Sequence, residues 1–202
     1  MSTNTTSVWR KKLKELEIVV VIPTYNNGKT LAAVIEEVCR YADDIIVVND
    51  GSTDDTANIL EQYPAIRTIT HPVNKGKGTA LKHGLSQAKK EGFRYAITID
   101  SDGQHFASDI PCFIEAIEKE PDTLLVGARN LASDNMPGKN TFANKFSNFW
   151  FRLETGLKLE DTQSGYRLYP LRKMDVQSCW YTAKYEFELE AIVFAAWGDV
   201  AV

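Results

Sequence analysis

Residues Ile18 to Pro23 read IVVVIP, an apolar run with no polar interruption. A strand with one wet face alternates apolar and polar side chains, so such a run fits a strand buried on both faces. The feature recurs. Ile45 to Asn49 is the next buried run, and Ile66 to Thr70, Tyr95 to Asp100 and Thr123 to Ala128 read as further strands. Between them lie helical patterns, the first over Lys29 to Tyr41 with Leu31, Val34, Ile35 and Val38 on one face. A second is capped by Ser52 or Thr53 and runs to Tyr63, a third spans Gly78 to Lys90, and a fourth Asp109 to Lys119. Alternation of apolar strands and helices predicts an α/β fold, a mostly parallel sheet with helices on both faces.

After Arg129 the rhythm changes. Ala132 to Asn140 reads as loop, and Thr141 to Leu157 as a helix with an aromatic stripe of Phe142, Phe146, Phe149 and Trp150. Core packing accounts best for that stripe, with a lipid-facing or acceptor-facing role as the alternative. A short strand, Tyr166 to Tyr169, and a last helix, Lys184 to Trp197, follow. No repeat interrupts the chain, so residues 18–202 read as one domain behind a polar, basic N-terminal extension, residues 1–17. That extension carries Arg10, Lys11, Lys12 and Lys14 but no apolar core of a signal peptide. No apolar run reaches the ~18 residues of a membrane-spanning helix, and the chain reads as cytoplasmic. The formal net charge of −4 argues against a nucleic-acid partner. Cys39, Cys112 and Cys179 are scattered and read as buried free thiols; His71, His83 and His105 do not cluster with them at zinc-ligand spacing.

In open parallel sheets, ligands bind beyond the carboxyl ends of the strands. Those ends are Pro23-Thr24-Tyr25-Asn26, Asn49-Asp50-Gly51-Ser52, His71 to Gly78, Asp100-Ser101-Asp102 and Gly127-Ala128-Arg129. Carboxylates beside Lys75 and Lys77 suit a ligand bearing both hydroxyls and phosphates. Asp100 and Asp102, two apart in extended chain, can face one ligand. They are either an acidic turn or a hard-cation site that bound diphosphate oxygens would complete, with Gln104 adding a carbonyl oxygen. Asp50 is either ordinary Asp-Gly turn chemistry or a hydrogen-bond acceptor for a ribose or base edge. Asn74 to Thr79 matches neither GxxxxGK[ST] nor GxGxxG, and is either an anion site at a helix start or a plain tight turn. Arg129 could hold a phosphate bidentately or form a surface salt bridge.

Taken in order, these segments resemble glycosyltransferase family 2, whose fold is GT-A. The matching stretches are VVIPTYN at Val20 to Asn26, VNDGSTDDT at Val48 to Thr56, and NKGKGTAL at Asn74 to Leu81. DSDGQH at Asp100 to His105, GARN at Gly127 to Asn130 and DTQSGYRLY at Asp161 to Tyr169 continue the series. The later motifs, with YEFELE at Tyr185 to Glu190, are most similar to the dolichyl-phosphate mannosyltransferase and polyprenyl-phosphate glycosyltransferase branch.

The resemblance implies a nucleotide-sugar donor, UDP- or GDP-linked, with Pro23, Tyr25, Asn27, Val48 and Asp50 on its nucleoside side. It implies a DxD-type motif at Asp100, Ser101 and Asp102, with Asp100, Asp102 and Gln104 holding Mg²⁺ or Mn²⁺. Arg129 would contact phosphate near the reacting centre, and Ser164 and Arg167 would shape the acceptor side. The family often carries an acidic residue where Asn27 stands, and two acids where Asn49-Asp50 stands. The implied reaction is inverting transfer to a polyprenyl phosphate, whose anionic oxygen needs no general base. A saccharide hydroxyl acceptor would need one, and Glu186 or Glu188 are the candidates. A nucleotidyltransferase is disfavoured because PTYNNG is not a GxGxR-type loop, and a non-catalytic nucleotide-sugar-binding module is the remaining alternative. The branch usually continues past the point corresponding to Val202. The expectation is therefore a catalytic core whose longer form associates with the cytoplasmic face of a membrane.

Overall fold

The computed structural model describes residues 3–127, 164–174, 186–198 and 200–202. In chain order the elements are α1 (Thr3–Glu15), β1 (Ile18–Thr24), α2 (Gly28–Val38), β2 (Ile45–Asn49), α3 (Thr56–Glu61) and β3 (Arg67–Thr70). There follow α4 (Lys77–Lys90), β4 (Tyr95–Thr98), a 3₁₀ turn at Ala107–Asp109, α5 (Ile110–Lys119), β5 (Leu125–Val126), β6 (Arg167–Pro170) and α6 (Glu186–Trp197). The expected helix over Thr141 to Leu157, the loop over Ala132 to Asn140, Arg129 and Cys179 lie outside the described residues.

The strands form one sheet in the order β3-β2-β1-β4-β6-β5. β1, β2, β3 and β4 are parallel neighbours, while β6 runs antiparallel to both β4 and β5. The sheet is thus mostly parallel, as the unbroken apolar runs require. Every residue of β1, β2 and β4 is buried, whereas β3 at the edge alternates half-buried and exposed positions. Period-2 side-chain alternation splits the core between the two faces. Val20 and Ile22 pack with Leu31, Ile35 and Ile114 from α2 and α5. Val19 and Val21 pack with Leu81, Leu85 and Ile192 from α4 and α6. Fully burying a side chain of this size contributes roughly 1.5–3 kcal/mol. Gly84 makes the close approach of α4 possible: a Cβ there would lie 2.5 Å from Val21 Cγ1.

Three local expectations need correction. The N-terminal segment is not a bare extension, because Leu13 of α1 is buried and Trp9 and Leu16 pack against the same core face. Their i, i+4, i+7 spacing is the helical stripe that the surrounding basic residues obscure. The helix expected to start at Ser52 or Thr53 starts at Thr56 instead. Ser52 and Thr53 serve the preceding loop: Asn26 N donates to Ser52 Oγ at 3.0 Å, and Thr53 N donates to Asn26 Oδ1 at 2.8 Å. Asn26 itself takes φ 53°, a left-handed conformation that Asn tolerates better than most residues. Nor are the described cysteines buried: Cys39 is half-buried and Cys112 exposed, both free.

Candidate active site

Register places the site. Thr24 of β1 lies opposite Asn49 of β2, and Asn49 opposite Thr70 of β3. The residues that follow, Tyr25, Asp50 and His71, therefore leave the sheet side by side at its carboxyl edge. On the other flank β4 runs out into Asp100, Ser101 and Asp102. Between these ends lies a cleft of about 550 Å³. It is lined by Pro23, Thr24, Tyr25, Asn27, Asp50, Asn74, Gly76, Lys77, Ala80, Asp100, Ser101 and Asp102.

At one end, Asp50 is buried and surrounded by donors. His71 Nδ1 lies 2.6 Å from Asp50 Oδ1, Lys75 N donates to the same oxygen at 2.9 Å, and Gly76 N donates to Oδ2 at 2.8 Å. A carboxylate offers lone pairs alone, so the proton of the imidazole contact sits on His71 Nδ1. His71 Nε2 in turn lies 2.7 Å from Nδ1 of the exposed His83. Burial, followed by the neighbouring His71 and Lys75, holds His83 below the usual imidazole range. Gly51 lets the β2 end turn against the 73–74 backbone: its φ is 70°, and a Cβ would meet Val73 C at 2.4 Å.

At the other end the arrangement is ionic. Lys77 Nζ, at the start of α4, lies 2.8 Å from each oxygen of Asp100 and 2.7 Å from Glu188 Oε1 of α6. Burial works against its ammonium, yet the carboxylates of Asp100 and Glu188 outweigh burial and raise Lys77 above its usual value. Gly165 fits beneath this triad, since a Cβ there would stand 2.5 Å from Asp100 Oδ2 and 2.8 Å from Lys77 Nζ. Ser101 is buried and joins β4 to α2: Asn27 Nδ2 donates to its Oγ at 2.8 Å and Thr30 Oγ1 to its carbonyl at 2.6 Å. Asp102 is exposed, and its Oδ1 accepts from Gln104 N at 2.9 Å.

Pro23, Tyr25, Asn27, Asp50, Asp100, Ser101 and Asp102 all line this cleft. Val48 does not; its side chain is fully buried in the core beside α4. Arg167 is fully buried as well, with Nε donating to Ser164 O at 2.7 Å and Nη1 to the carbonyl of Glu188. It ties β6 to α6 from behind the cleft. Ser164 is buried, its Oγ 3.3 Å from the donating Tyr166 N. Glu188 is the buried partner of Lys77, so a free general base is not what its position supplies. His71 and Gly76 lie in the strand-end segment read from the sequence, but their contacts with Asp50 were not foreseen. Their roles depend on strand register and on a turn returning to Asp50, neither of which leaves a spacing signature.

The family 2 glycosyl transferase model matches residues 19–176, most of the chain, from the second residue of β1 to beyond β6. The chain belongs to glycosyl transferase family 2. Its sheet, with β6 inserted antiparallel, is the GT-A fold, and family membership makes it a nucleotide-sugar-dependent glycosyltransferase. The UDP-N-acetylglucosamine–dolichyl-phosphate N-acetylglucosaminyltransferase of Methanococcus voltae is 32% identical over 199 residues, covering 88% of this chain and 79% of that relative. The dolichyl-phosphate beta-glucosyltransferase ALG5D of Trichomonas vaginalis is 28% identical over 74% of this chain, which spans 52% of that relative's length. Among solved structures, glucosyl-3-phosphoglycerate synthase from Mycobacterium tuberculosis, in complex with Mn²⁺, UDP-glucose and phosphoglyceric acid, shares the fold with a TM-score of 0.72. That match is 22% identical and covers 94% of this chain and 68% of the other.

Proposed function

We propose that this family 2 glycosyltransferase moves a sugar from a nucleotide-sugar to a polyprenyl phosphate, with inversion at the anomeric carbon. The observation that carries the reading is the two-ended cleft, with a hydrogen-bonding carboxylate, Asp50, at one end and an ionic, diphosphate-compatible end at Asp100, Lys77 and Asp102. The named relatives from Methanococcus voltae and Trichomonas vaginalis, both dolichyl-phosphate enzymes, support the acceptor class.

The donor set fits a hard divalent cation, Mg²⁺ or Mn²⁺. Asp102 is exposed and keeps one carboxylate oxygen clear of the Gln104 amide. Both oxygens of Asp100 face Lys77, so Asp100 would take part by exchanging that ion pair. Among the described residues no group of three His, Cys, Asp or Glu side chains could hold an ion, so donor phosphate oxygens and water would complete the shell. A divalent ion held there supplies Lewis-acid stabilisation of charge on the departing nucleoside diphosphate. Lys77, a cation throughout the physiological range, offsets the same negative charge from the α4 side. Glu188 and Asp100 hold its ammonium in place, and Arg167 fixes the backbone of Glu188. Arg129 remains our candidate for contact with phosphate near the reacting centre.

A phosphate oxygen attacks without a general base, which agrees with a Glu188 already ion-paired. A saccharide hydroxyl acceptor would need a base; the pairing takes Glu188 out of that role and leaves Glu186 as its candidate. Among the described residues no helix is long and apolar enough to cross a membrane. We place the reaction at the cytoplasmic face of a membrane on the strength of the lipid acceptor alone. Incubating the protein with radiolabelled UDP- and GDP-sugars, Mn²⁺ and either polyprenyl phosphate or oligosaccharide tests this. Label in the lipid phase is the expected result, and label in oligosaccharide alone would overturn the acceptor assignment.

A further inference from the structure

The nucleoside end of the cleft carries information about which base it accepts. A carboxylate has about four lone-pair sites. On Asp50, His71 Nδ1 and Lys75 N occupy Oδ1, and Gly76 N occupies one site on Oδ2. One acceptor site, on Oδ2, is left over for a ligand in the cleft that Asp50 lines.

We propose that His71 is a positioning residue that makes Asp50 a single-acceptor reader, selecting a nucleobase edge with one N–H, that of uracil, over the paired N–H edge of guanine. The proposal rests on the reading of the cleft as a nucleotide-sugar site and goes beyond it by committing to the uridine donor. Guanine presents N1–H and an exocyclic amine side by side, and a carboxylate satisfies both by using its two oxygens together. With Oδ1 saturated, that bidentate mode is closed, and a guanine would bury one donor without a partner. Uracil has one imide N–H between two carbonyls and leaves nothing unmatched.

His83 extends the device to the surface. A single proton serves the contact between His71 Nε2 and His83 Nδ1. With the His71 Nδ1 proton directed at Asp50, His71 Nε2 is the acceptor in this contact and His83 Nδ1 carries the N–H. A proton taken from solvent by exposed His83 places a positive charge one hydrogen bond from His71 and two from Asp50, where it competes with a ligand N–H for that carboxylate. The groups facing His83 are His71, Lys75, Lys90 and Asp50, three basic and one acidic, so the proton arrives late on the acid side. Uridine binding therefore weakens as pH falls below the ordinary imidazole value of about 6.5.

Isothermal titration calorimetry of the full chain with UDP and with GDP, at pH 8 and pH 5.5, tests the proposal. Wild type is expected to bind UDP about tenfold or more tightly than GDP. His71→Leu frees an Oδ1 site and brings the ratio toward one, while His71→Asn, which retains an N–H near the Nδ1 position, restores it. His83→Asn flattens the acid-side fall in UDP affinity. Should His71→Leu fail to fold, the wild-type ratio and the His83→Asn profile decide. Binding of neither nucleotide would sink the nucleotide-sugar reading and this inference with it. GDP binding as tightly as UDP would overturn the inference alone, as would a ratio that His71→Leu leaves unchanged.

Discussion

Asp50 and Asp100 are two strand-end carboxylates on one cleft, held in opposite ways. Asp50 is surrounded by an imidazole and two backbone amides, all fixed by strand register and by the turn at Gly51. Asp100 faces a lysine ammonium on a flexible stem, shared with Glu188. The first arrangement is rigid and directional, suited to reading an edge. The second is a cluster of charges whose partners can be exchanged, suited to a ligand that brings charge of its own. The two ends should therefore break under different insults: Asp50 when geometry is disturbed, Asp100 when charge is removed.

The largest effect is expected at the ionic end. Lys77→Met leaves Glu188 buried and Asp100 without a counter-charge, and should destabilise the fold by about 3–5 kcal/mol, read as a denaturation midpoint shift. Next, Asp102→Asn should lower sugar transfer by about 100-fold while leaving the melting temperature unchanged, because the side chain is exposed. A full-rate mutant would remove Asp102 from the chemistry. At the hydrogen-bonding end a methyl group should suffice. Gly51→Ala forces a Cβ against the Val73 backbone at positive φ, costing about 2 kcal/mol and weakening nucleotide binding more than a surface Gly92→Ala control.

The smallest effects lie in pH. His83 has a depressed folded-state pKa, so the unfolded chain binds its proton first and stability falls as pH drops below about 6.5. Lys77 has a raised one, so its contribution is present below the unfolded value of about 10.4 and is lost as pH rises through the higher folded value. A urea-denaturation series across pH should therefore lose stability at both ends. Replacing His83 should remove part of the acid-side loss.

Much of this was legible in the residues. Continuous apolar runs marked β1, β2 and β4 because strands buried on both faces have no polar alternation to confuse them. The apolar face of α2, from Leu31 to Val38, appeared as expected. The cleft residues followed from reading strand ends, since the carboxyl edge of a parallel sheet is where loops converge. Other features left no local trace. The insertion of β6 between β4 and β5 is a choice of pairing partner, which periodicity does not encode. The contact of His71 with Asp50 joins residues far apart in sequence, and only the Asn49–Thr70 register brings them together. The burial of Arg167, whose guanidinium donates to the carbonyls of Ser164 and Glu188, is likewise absent from its sequence motif.

The antiparallel strand also governs when the molecule becomes competent. Among the described strands β5 pairs with β6 alone, and β6 lies far downstream in the chain. During synthesis, β1 to β4 can assemble among near neighbours, whereas β5 must wait for a distant segment to close a long loop. Gly165, Arg167 and Glu188 arrive with or after that closure, and with them the groove under Asp100 and the second anchor of Lys77. The ionic end of the cleft is therefore expected to be the last part of the site to form. A nascent chain would present the Asp50 end of the cleft folded before the end formed by Asp100, Lys77 and Glu188.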